Sequence, residues 1–479
     1  MKHDQNLLLL TCAFMTGVGC SSGKKADLKP NIVFIMIDDL GWKDISYMGS
    51  QYYETPGIDS LAKAGMIFTQ AYSNAANSAP TRACLLTGQY TPRHGLYTVS
   101  NSDRGKSKDR RLVPTENNEI VSTDKIIIAE ALKKGGYVTA SIGKWHIGKT
   151  PVEHGFDIGF DRDSLGYKGN HFNAKGEYLA DRLTDEAIRF IRENNPLLTG
   201  KPIFLSLTHH AVHTPIQAKE DLKEKYSLKE VEECHDNPVY AAMIQSVDES
   251  VARINSTLHE LGLSENTVLV FFSDNGGHGT FTCQKPLRGG KGMFYEGGIR
   301  VPMFIYWPGT VKGGIICDIP VISTDFYPTF IDIAGVEKPG DYPLDGISIL
   351  PLMKGGKSID REMLFWHFPA YLEAYAGLKE DSRDTLFRTR PVSVIRKGDW
   401  KLLMFHEEWV LDGGRDSIKT NNSVELYNLK SDLGETINLC NKEVKMRDEL
   451  LDDLLTWIDD SGAPIPAEEN GDYIPSANR

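Results

Sequence analysis

Through its first two thirds the chain alternates short apolar runs rich in β-branched residues with stretches of helical periodicity, and that alternation limits its possible folds more than any other feature. Strands are expected at Asn31–Ile37, 137–142, Ile203–Thr208, Thr267–Ser273 and 302–307, with helices between them at 57–64, 126–134, 181–193 and 238–261. Strands that are apolar throughout need cover on both faces, so the pattern calls for an α/β class, a mostly parallel sheet between two layers of helices. The last quarter reads differently. Runs at 392–395 and Trp400–Phe405 flank Arg396-Lys397-Gly398-Asp399, a hairpin turn signal. A further strand is expected at 425–429, and an amphipathic helix at 445–458 with Leu450, Leu451, Leu454, Leu455 and Ile458 on one side. At 479 residues the chain exceeds what one core usually organises. The division expected is a large domain over 31–360 and a smaller antiparallel sheet-plus-helix domain over 361–479.

Residues 7–18 form an apolar stretch behind a polar start, too short to span a bilayer comfortably and ending in small residues, as a cleaved signal does. Gly17-Val18-Gly19-Cys20 resembles a bacterial lipoprotein signal, with Gly17 standing where such signals usually carry Leu. The resemblance implies a signal peptide over 1–19, lipidated Cys20 as the first mature residue, a tether over 20–30, and export to the periplasm or cell surface. Hydrophobic residues at 41% and charged residues at 25% exclude a disordered chain and a multi-span membrane protein. A net charge of -12 argues against nonspecific nucleic-acid binding. An anionic small substrate stays compatible, because the local field of a pocket outweighs distant screened charge. Beyond Cys12 and Cys20, the cysteines Cys84, Cys234, Cys283, Cys317 and Cys440 contain no CxxC pair. They exclude a zinc ribbon and a dense disulfide scaffold, and leave one or two bridges open.

Ligands in an open α/β sheet bind beyond the carboxyl ends of its strands. Four expected strands run straight into polar clusters: Asp38-Asp39, Gly143-Lys144-Trp145-His146, His209-His210-Ala211-Val212-His213 and Asp274-Asn275-Gly276-Gly277. Taken singly, each has a plain reading as a helix cap, a packed Trp between solvated charges, loop histidines or a turn. Four of them at equivalent topological positions point instead to one active-site edge. Asp38, Asp39, Asp274 and Asn275 offer oxygen ligands only, a set suited to Ca²⁺ or Mg²⁺ and unlike a zinc site.

A fifth segment is Asn77-Ser78-Ala79-Pro80-Thr81-Arg82-Ala83-Cys84-Leu85-Leu86-Thr87-Gly88. Pro80 suits a first helical turn, Ser78 before it reads as a cap, and Gly88 would stop the helix. A helix N-terminus also attracts anions. Ser78-Ala79-Pro80-Thr81-Arg82 followed by Leu86-Thr87-Gly88 resembles the signature of the formylglycine-dependent type I sulfatases, of the alkaline-phosphatase superfamily, here in its serine form. Further segments resemble that family in the right order: Ile37-Asp38-Asp39, Gly143-Lys144-Trp145-His146-Ile147-Gly148, His213-Thr214-Pro215, Ser273-Asp274-Asn275-Gly276, Gly289-Gly290-Lys291-Gly292 and Glu296-Gly297-Gly298. Later ones are Arg396-Lys397-Gly398-Asp399-Trp400-Lys401 and Glu425-Leu426-Tyr427-Asn428-Leu429, so the resemblance spans most of residues 30–440.

The resemblance implies an alkaline-phosphatase-like fold, a large mixed sheet flanked by helices with a smaller C-terminal antiparallel sheet and helix. It implies that Ser78 is oxidised to formylglycine by a sulfatase-maturating radical enzyme, and that Asp38, Asp39, Asp274, Asn275 and modified Ser78 surround Ca²⁺. Arg82 and Lys144 would orient the formylglycine, and Lys144, His213 and Lys291 would contact the sulfate. One hydroxyl of the aldehyde hydrate would attack sulfur, His213 would protonate the leaving oxygen with help from Lys291, and His146 would deprotonate the second hydroxyl to expel sulfate. The implied substrate is a sulfated carbohydrate. Trp366-His367-Phe368-Pro369, Arg383, Arg388 and Arg390 are candidates to line the sugar pocket, and the first of these segments points to galactose or N-acetylgalactosamine 4-sulfate. The competing readings are a phosphatase or phosphonate monoester hydrolase of the same superfamily, and a noncatalytic binder of sulfated glycans.

Overall fold

The computed structural model describes residues 28–378 and 382–475, so the signal region, Cys20 and most of the tether lie outside it. Among the described residues, nine strands form the main sheet: β1 (Asn31–Ile37), β2 (Met66–Tyr72), β3 (Val138–Gly143), β4 (Ile158–Phe160), β5 (Ile203–Thr208), β6 (Thr267–Ser273), β7 (Arg300–Tyr306), β8 (Ile315–Cys317) and β9 (Val321–Ile322). Their order is β4-β3-β5-β1-β6-β7-β2-β8, with β9 also on β2. The five strands from β4 to β6 run parallel. β7 is antiparallel to both β6 and β2, which makes the sheet mixed. β2 escapes sequence reading because Thr69 and Gln70 interrupt its apolar pattern where the ladder to β7 shifts register between Phe68 and Ala71.

The central strands β1, β5 and β6 are buried on both faces, which explains why their sequences are apolar runs without alternation. On β1, Ile32, Phe34 and Met36 feed one core while Val33, Ile35 and Ile37 feed the other. The first core is closed by the helices Ser78–Thr87, Ile128–Lys134 and Phe326–Ile333. The second is closed by Pro56–Ala64, Leu179–Glu193, Glu220–Ser227 and Pro238–Glu260. No helix of the described residues is long and apolar enough to cross a membrane.

Six further strands follow: β10 (Met363–Phe368), β11 (Leu372–Glu373), β12 (Phe387–Thr389), β13 (Val392–Lys397), β14 (Trp400–Phe405) and β15 (Val424–Asn428). β10-β13-β14-β15 form an antiparallel sheet, β11 and β12 pair as a ribbon, and the helix Val444–Ser461 packs on the sheet. Gly398 and Asp399 turn the β13–β14 hairpin, with Lys397 opposite Trp400. Trp366, His367 and Phe368 do not line a pocket. They lie in β10, where Trp366 Nε1 donates to the Ser73 carbonyl at 2.7 Å and His367 is held between Ser393 and Pro464. Two-sided burial is the reason: Trp366 packs on Tyr72 of the main sheet and Phe365 stacks on Trp457 of the terminal helix.

The smaller sheet shares a core with Tyr72, Ala76, Met293, Phe294 and Tyr295 of the preceding part. A buried ion network crosses the same junction. Lys401 Nζ lies 3.0 Å from Glu296 and 2.8 Å from Glu435, and all three side chains are fully buried. Of the cysteines, Cys234 and Cys283 form a disulfide, while Cys84, Cys317 and Cys440 are free and buried.

Candidate active site

The carboxyl ends of β1, β3, β5 and β6 open onto one edge, and each delivers a side chain there. β1 ends in Asp38 and Asp39, both fully buried, with Asp39 in the left-handed region at φ 63°. β3 turns out of the sheet at Gly143, φ 101°, where a Cβ would sit 2.0 Å from the Thr208 carbonyl oxygen. Only glycine fits that approach, and it releases Lys144 and His146 toward the edge. β6 delivers Asp274 and Asn275, also fully buried.

The helix Ser78–Thr87 points its N-terminus at the cluster, and Gly88 ends it at φ 68°. The cap reading of Ser78 fails: the cap position is Asn77, and Ser78 belongs to the first turn. Its Oγ is therefore free to face the cluster, 2.9 Å from Asp38 Oδ1, 3.2 Å from Asn275 Oδ1 and 3.4 Å from Lys144 Nζ. Arg82, one turn on, donates from Nε and Nη2 to Asp274 Oδ2 and from Nη1 to the Lys144 carbonyl. The loop carrying Lys291 is laced to the edge by backbone bonds from Lys291 to Gly277 and from Gly292 to Ala76. Lys144 Nζ donates to Asp38, Lys291 Nζ donates to Asp39 Oδ2 at 2.6 Å, and Asn275 Nδ2 donates to Asp39 Oδ1 at 2.8 Å.

Burial works against ionisation of Asp38, but Lys144, His213 and Arg82 outweigh it and hold the carboxyl well below its usual range. Asp39 is lowered in the same way, chiefly by Lys291 against burial. Asp274 is pushed up to about 6 by burial and by Asp38, even with Arg82 on it. That residual anionic crowding, in a set of buried oxygen donors, is what a hard divalent cation relieves, so these residues fit calcium.

Of the histidines after β5, only His213 joins the cluster. Its Nδ1 donates to the Thr214 carbonyl at 2.6 Å, which turns Nε2 toward Asp39 Oδ2 at 3.8 Å. His209 bonds to Ser250 and His210 to Asp161, away from Ser78. His146 has φ 65° and a buried Nδ1 with no hydrogen-bond partner among the described residues, and burial together with Lys144 lowers its pKa to about 2.

Arg388 reaches the cluster indirectly. Its Nη1 donates to the Lys291 carbonyl at 3.2 Å and its guanidinium lies 3.6 Å over the Tyr375 ring. Arg390 is held by Asp384 and by Glu407 at 3.0 Å. Sequence reading missed a supporting layer behind Asp39. Tyr240 Oη donates to the Asp39 carbonyl at 3.1 Å and lies 2.7 Å from Asp44, while Thr282 donates to Asp44 at 2.6 Å. It also missed His278, stacked 4.0 Å from Tyr375. Isolated polar residues on a helix or loop carry no local pattern that marks such partners.

Residues 30–336 match the family described as Sulfatase, and residues 289–460 match the family described as N-sulphoglucosamine sulphohydrolase, C-terminal. The chain is 32% identical to a sulfatase of Formosa agariphila, over 92% of this chain and 90% of that protein. It is 31% identical to the N-acetylgalactosamine-6-sulfatase of Mus musculus, over 76% of this chain and 72% of that protein. The crystal structure of Ps i-CgsB in complex with k-i-k-neocarrahexaose superposes with a TM-score of 0.71 at 28% identity, covering 92% of this chain and 94% of that one. The chain belongs to the sulfatase family: it is a type I sulfatase of the alkaline-phosphatase superfamily, a sulfuric ester hydrolase.

Proposed function

We propose that the protein removes O-sulfate from carbohydrates, namely galactose or N-acetylgalactosamine residues, with Ser78 matured to formylglycine and Ca²⁺ held by Asp38, Asp39, Asp274, Asn275 and residue 78. The observation that carries this reading is the position of Ser78 Oγ between Asp38 and Asn275, with Lys144 beside it and a helix N-terminus behind it. Formylglycine hydrate supplies a second hydroxyl on the nucleophilic carbon, and calcium lowers the hydroxyl pKa and shields the charge of the ester.

The chain's own residues do the rest. Arg82 fixes Asp274 and the Lys144 backbone, and so sets the floor of the site. Lys144 and Lys291 neutralise the sulfate oxygens. His213, whose Nδ1–H donates to Thr214, can give a proton from Nε2 to the leaving sugar oxygen only as the imidazolium, a form that burial and Lys144 disfavour and Asp38 and Asp39 favour. His146, kept neutral by burial and Lys144, accepts the proton from residue 78. An arriving anionic sulfate raises the basicity of that imidazole toward the working range.

The mouse relative is named for a 6-sulfate. The 4-sulfate expectation rested on the segment Trp366-His367-Phe368-Pro369, of which Trp366, His367 and Phe368 are buried. Both positions therefore belong in the test, which is sulfate release by matured protein from regioisomeric galactose and N-acetylgalactosamine sulfates. Failure to release sulfate from every member would sink the carbohydrate assignment. Export, with Cys20 as a lipid anchor, belongs to the same proposal, and the Cys234–Cys283 disulfide supports an oxidising compartment.

A further inference from the structure

The chain enters the described structure at Leu28, on the amino edge of the main sheet and opposite the catalytic cluster. Asn266 Nδ2, just ahead of β6, donates to the carbonyls of Leu28 and Lys29 at 3.0 and 3.2 Å. Lys29 Nζ donates to the Gly135 carbonyl ahead of β3, and Tyr137 Oη donates to the Pro30 carbonyl. β1 has seven residues, so at ~3.3 Å per residue the two edges of the sheet stand about 23 Å apart.

The same edge carries an exposed apolar pair. Leu197 and Leu198, in the short helix Pro196–Thr199 ahead of β5, are 52% and 82% exposed. A Cβ on Gly262 would lie 4.0 Å from Leu197 Cδ1, so the turn from Gly262 to Asn266 touches both the leucine pair and the chain's point of entry. Lys134 and Lys201 are exposed on this edge as well, ahead of β3 and β5. Apolar side chains beside lysines suit the boundary between acyl chains and anionic headgroups. Cys20 lies eight residues before Leu28, a reach of at most ~29 Å. That reach exceeds the separation of the two edges, so a lipid on Cys20 alone does not choose which edge faces the bilayer. A single acyl chain also binds only marginally, and a second contact strengthens the attachment while setting its orientation.

We propose that the amino edge of the main sheet docks on a lipid surface through Leu197 and Leu198, which points the cluster around Ser78 away from the bilayer. The inference rests on export with Cys20 as the lipid anchor, proposed above, and adds an orientation to it. The catalytic edge of an enzyme held this way is open to polymer arriving from solution.

The test uses the full chain, expressed with its signal and reconstituted in phosphatidylethanolamine–phosphatidylglycerol vesicles. A fluorescent label is placed at Thr199→Cys, which keeps both leucines, or at Leu228→Cys as a control; Cys84, Cys317 and Cys440 are buried and do not compete for it. Leu228 is itself 89% exposed, on a segment that Lys229 and Glu232 tie to Tyr52 and Gln51, past the carboxyl end of β1. Spin-labelled lipid should quench the label at 199 at least threefold more than the label at 228, and the double substitution Leu197→Ser, Leu198→Ser should remove that difference. Equal quenching at both positions, stronger quenching at 228, or a double variant that quenches like the parent overturns the docking face. A spectral shift at 199 that needs no vesicles and grows with protein concentration assigns the leucines to a second copy of the chain and overturns it too. Intact mass reads acylation of Cys20 separately. If Cys20 carries no acyl chain, the anchor reading fails by itself, and the same comparison after coupling Cys20 to a maleimide lipid still decides which edge meets the bilayer.

Discussion

Arg82 holds Asp274 through two hydrogen bonds to a single carboxylate oxygen, from Nε at 3.0 Å and from Nη2 at 2.7 Å, with both side chains buried. Removing one partner leaves a buried charge uncompensated, which costs about 3–5 kcal/mol. Arg82→Ala should therefore lose stability on that scale as well as activity, and Arg82→Lys should recover part of the stability alone. Denaturant unfolding measures both, and a loss below about 1 kcal/mol for Arg82→Ala would show that the pair does not hold the site together.

Calcium should stabilise the fold as well as serve turnover. Binding at a hundredfold excess over Kd adds about 2.7 kcal/mol. Chelation should lower the melting temperature and abolish activity, with added Ca²⁺ restoring both, and Asp274→Ala should erase the calcium-dependent shift. A melting temperature indifferent to verified metal removal would refute the assignment of Asp38, Asp39, Asp274 and Asn275.

Maturation of Ser78 should decide activity. A host without a serine-acting maturating enzyme should yield folded, nearly inactive protein, with the Ser78 peptide at its unmodified mass; maturation removes two hydrogens. Ser78→Cys should recover activity in a host that oxidises cysteine. Ser78→Ala should stay inactive yet bind sulfated ligand, because Lys144 and Lys291 persist. High multiple turnover from protein carrying unmodified Ser78 would revive the phosphatase-like alternative.

His213→Ala should damage alkyl sulfates, whose leaving groups need a proton, by about 10²–10⁴-fold, and activated aryl sulfates far less. Equal losses on both would assign His213 to sulfate positioning instead. His146→Ala should slow the second half of the cycle, so that rapid-quench mass analysis finds sulfate retained on the enzyme.

The buried network of Lys401, Glu296 and Glu435 predicts a pH dependence of stability. Burial raises Glu435 to about 7, above its ordinary 4.5, while Glu296 is held near 2 because Lys401 and Arg300 overcome its burial. The contribution of Glu435 is complete below pH 4.5 and is lost as pH rises through 7, whereas that of Glu296 is constant above 4.5. Stability should decline between pH 5 and 8, and Glu435→Gln should flatten that decline. A Glu435→Gln profile parallel to the parent would exclude this group as the source.

Much of the site was legible in the chain because its parts are local patterns. Apolar runs ending in Asp38-Asp39, Lys144-Trp145-His146 and Asp274-Asn275 declare both a strand and the edge it meets, since parallel strands put their carboxyl ends together. Likewise, Ser78 and Arg82 lie four residues apart and so share one helix face. What only the tertiary structure decided depends on partners distant in the chain. β7 runs antiparallel to both β6 and β2, and the pattern of β2 itself is broken at Thr69 and Gln70. The fate of Trp366 is set by Tyr72 and Ser73, nearly three hundred residues earlier. Whether an arginine faces a ligand or a carboxylate was likewise undetermined: Arg388 and Arg390 are two residues apart on one segment, yet one reaches Lys291 and the other Glu407. Periodicity specifies which face of an element is buried, but the atom a long side chain meets is fixed only when another element packs against it.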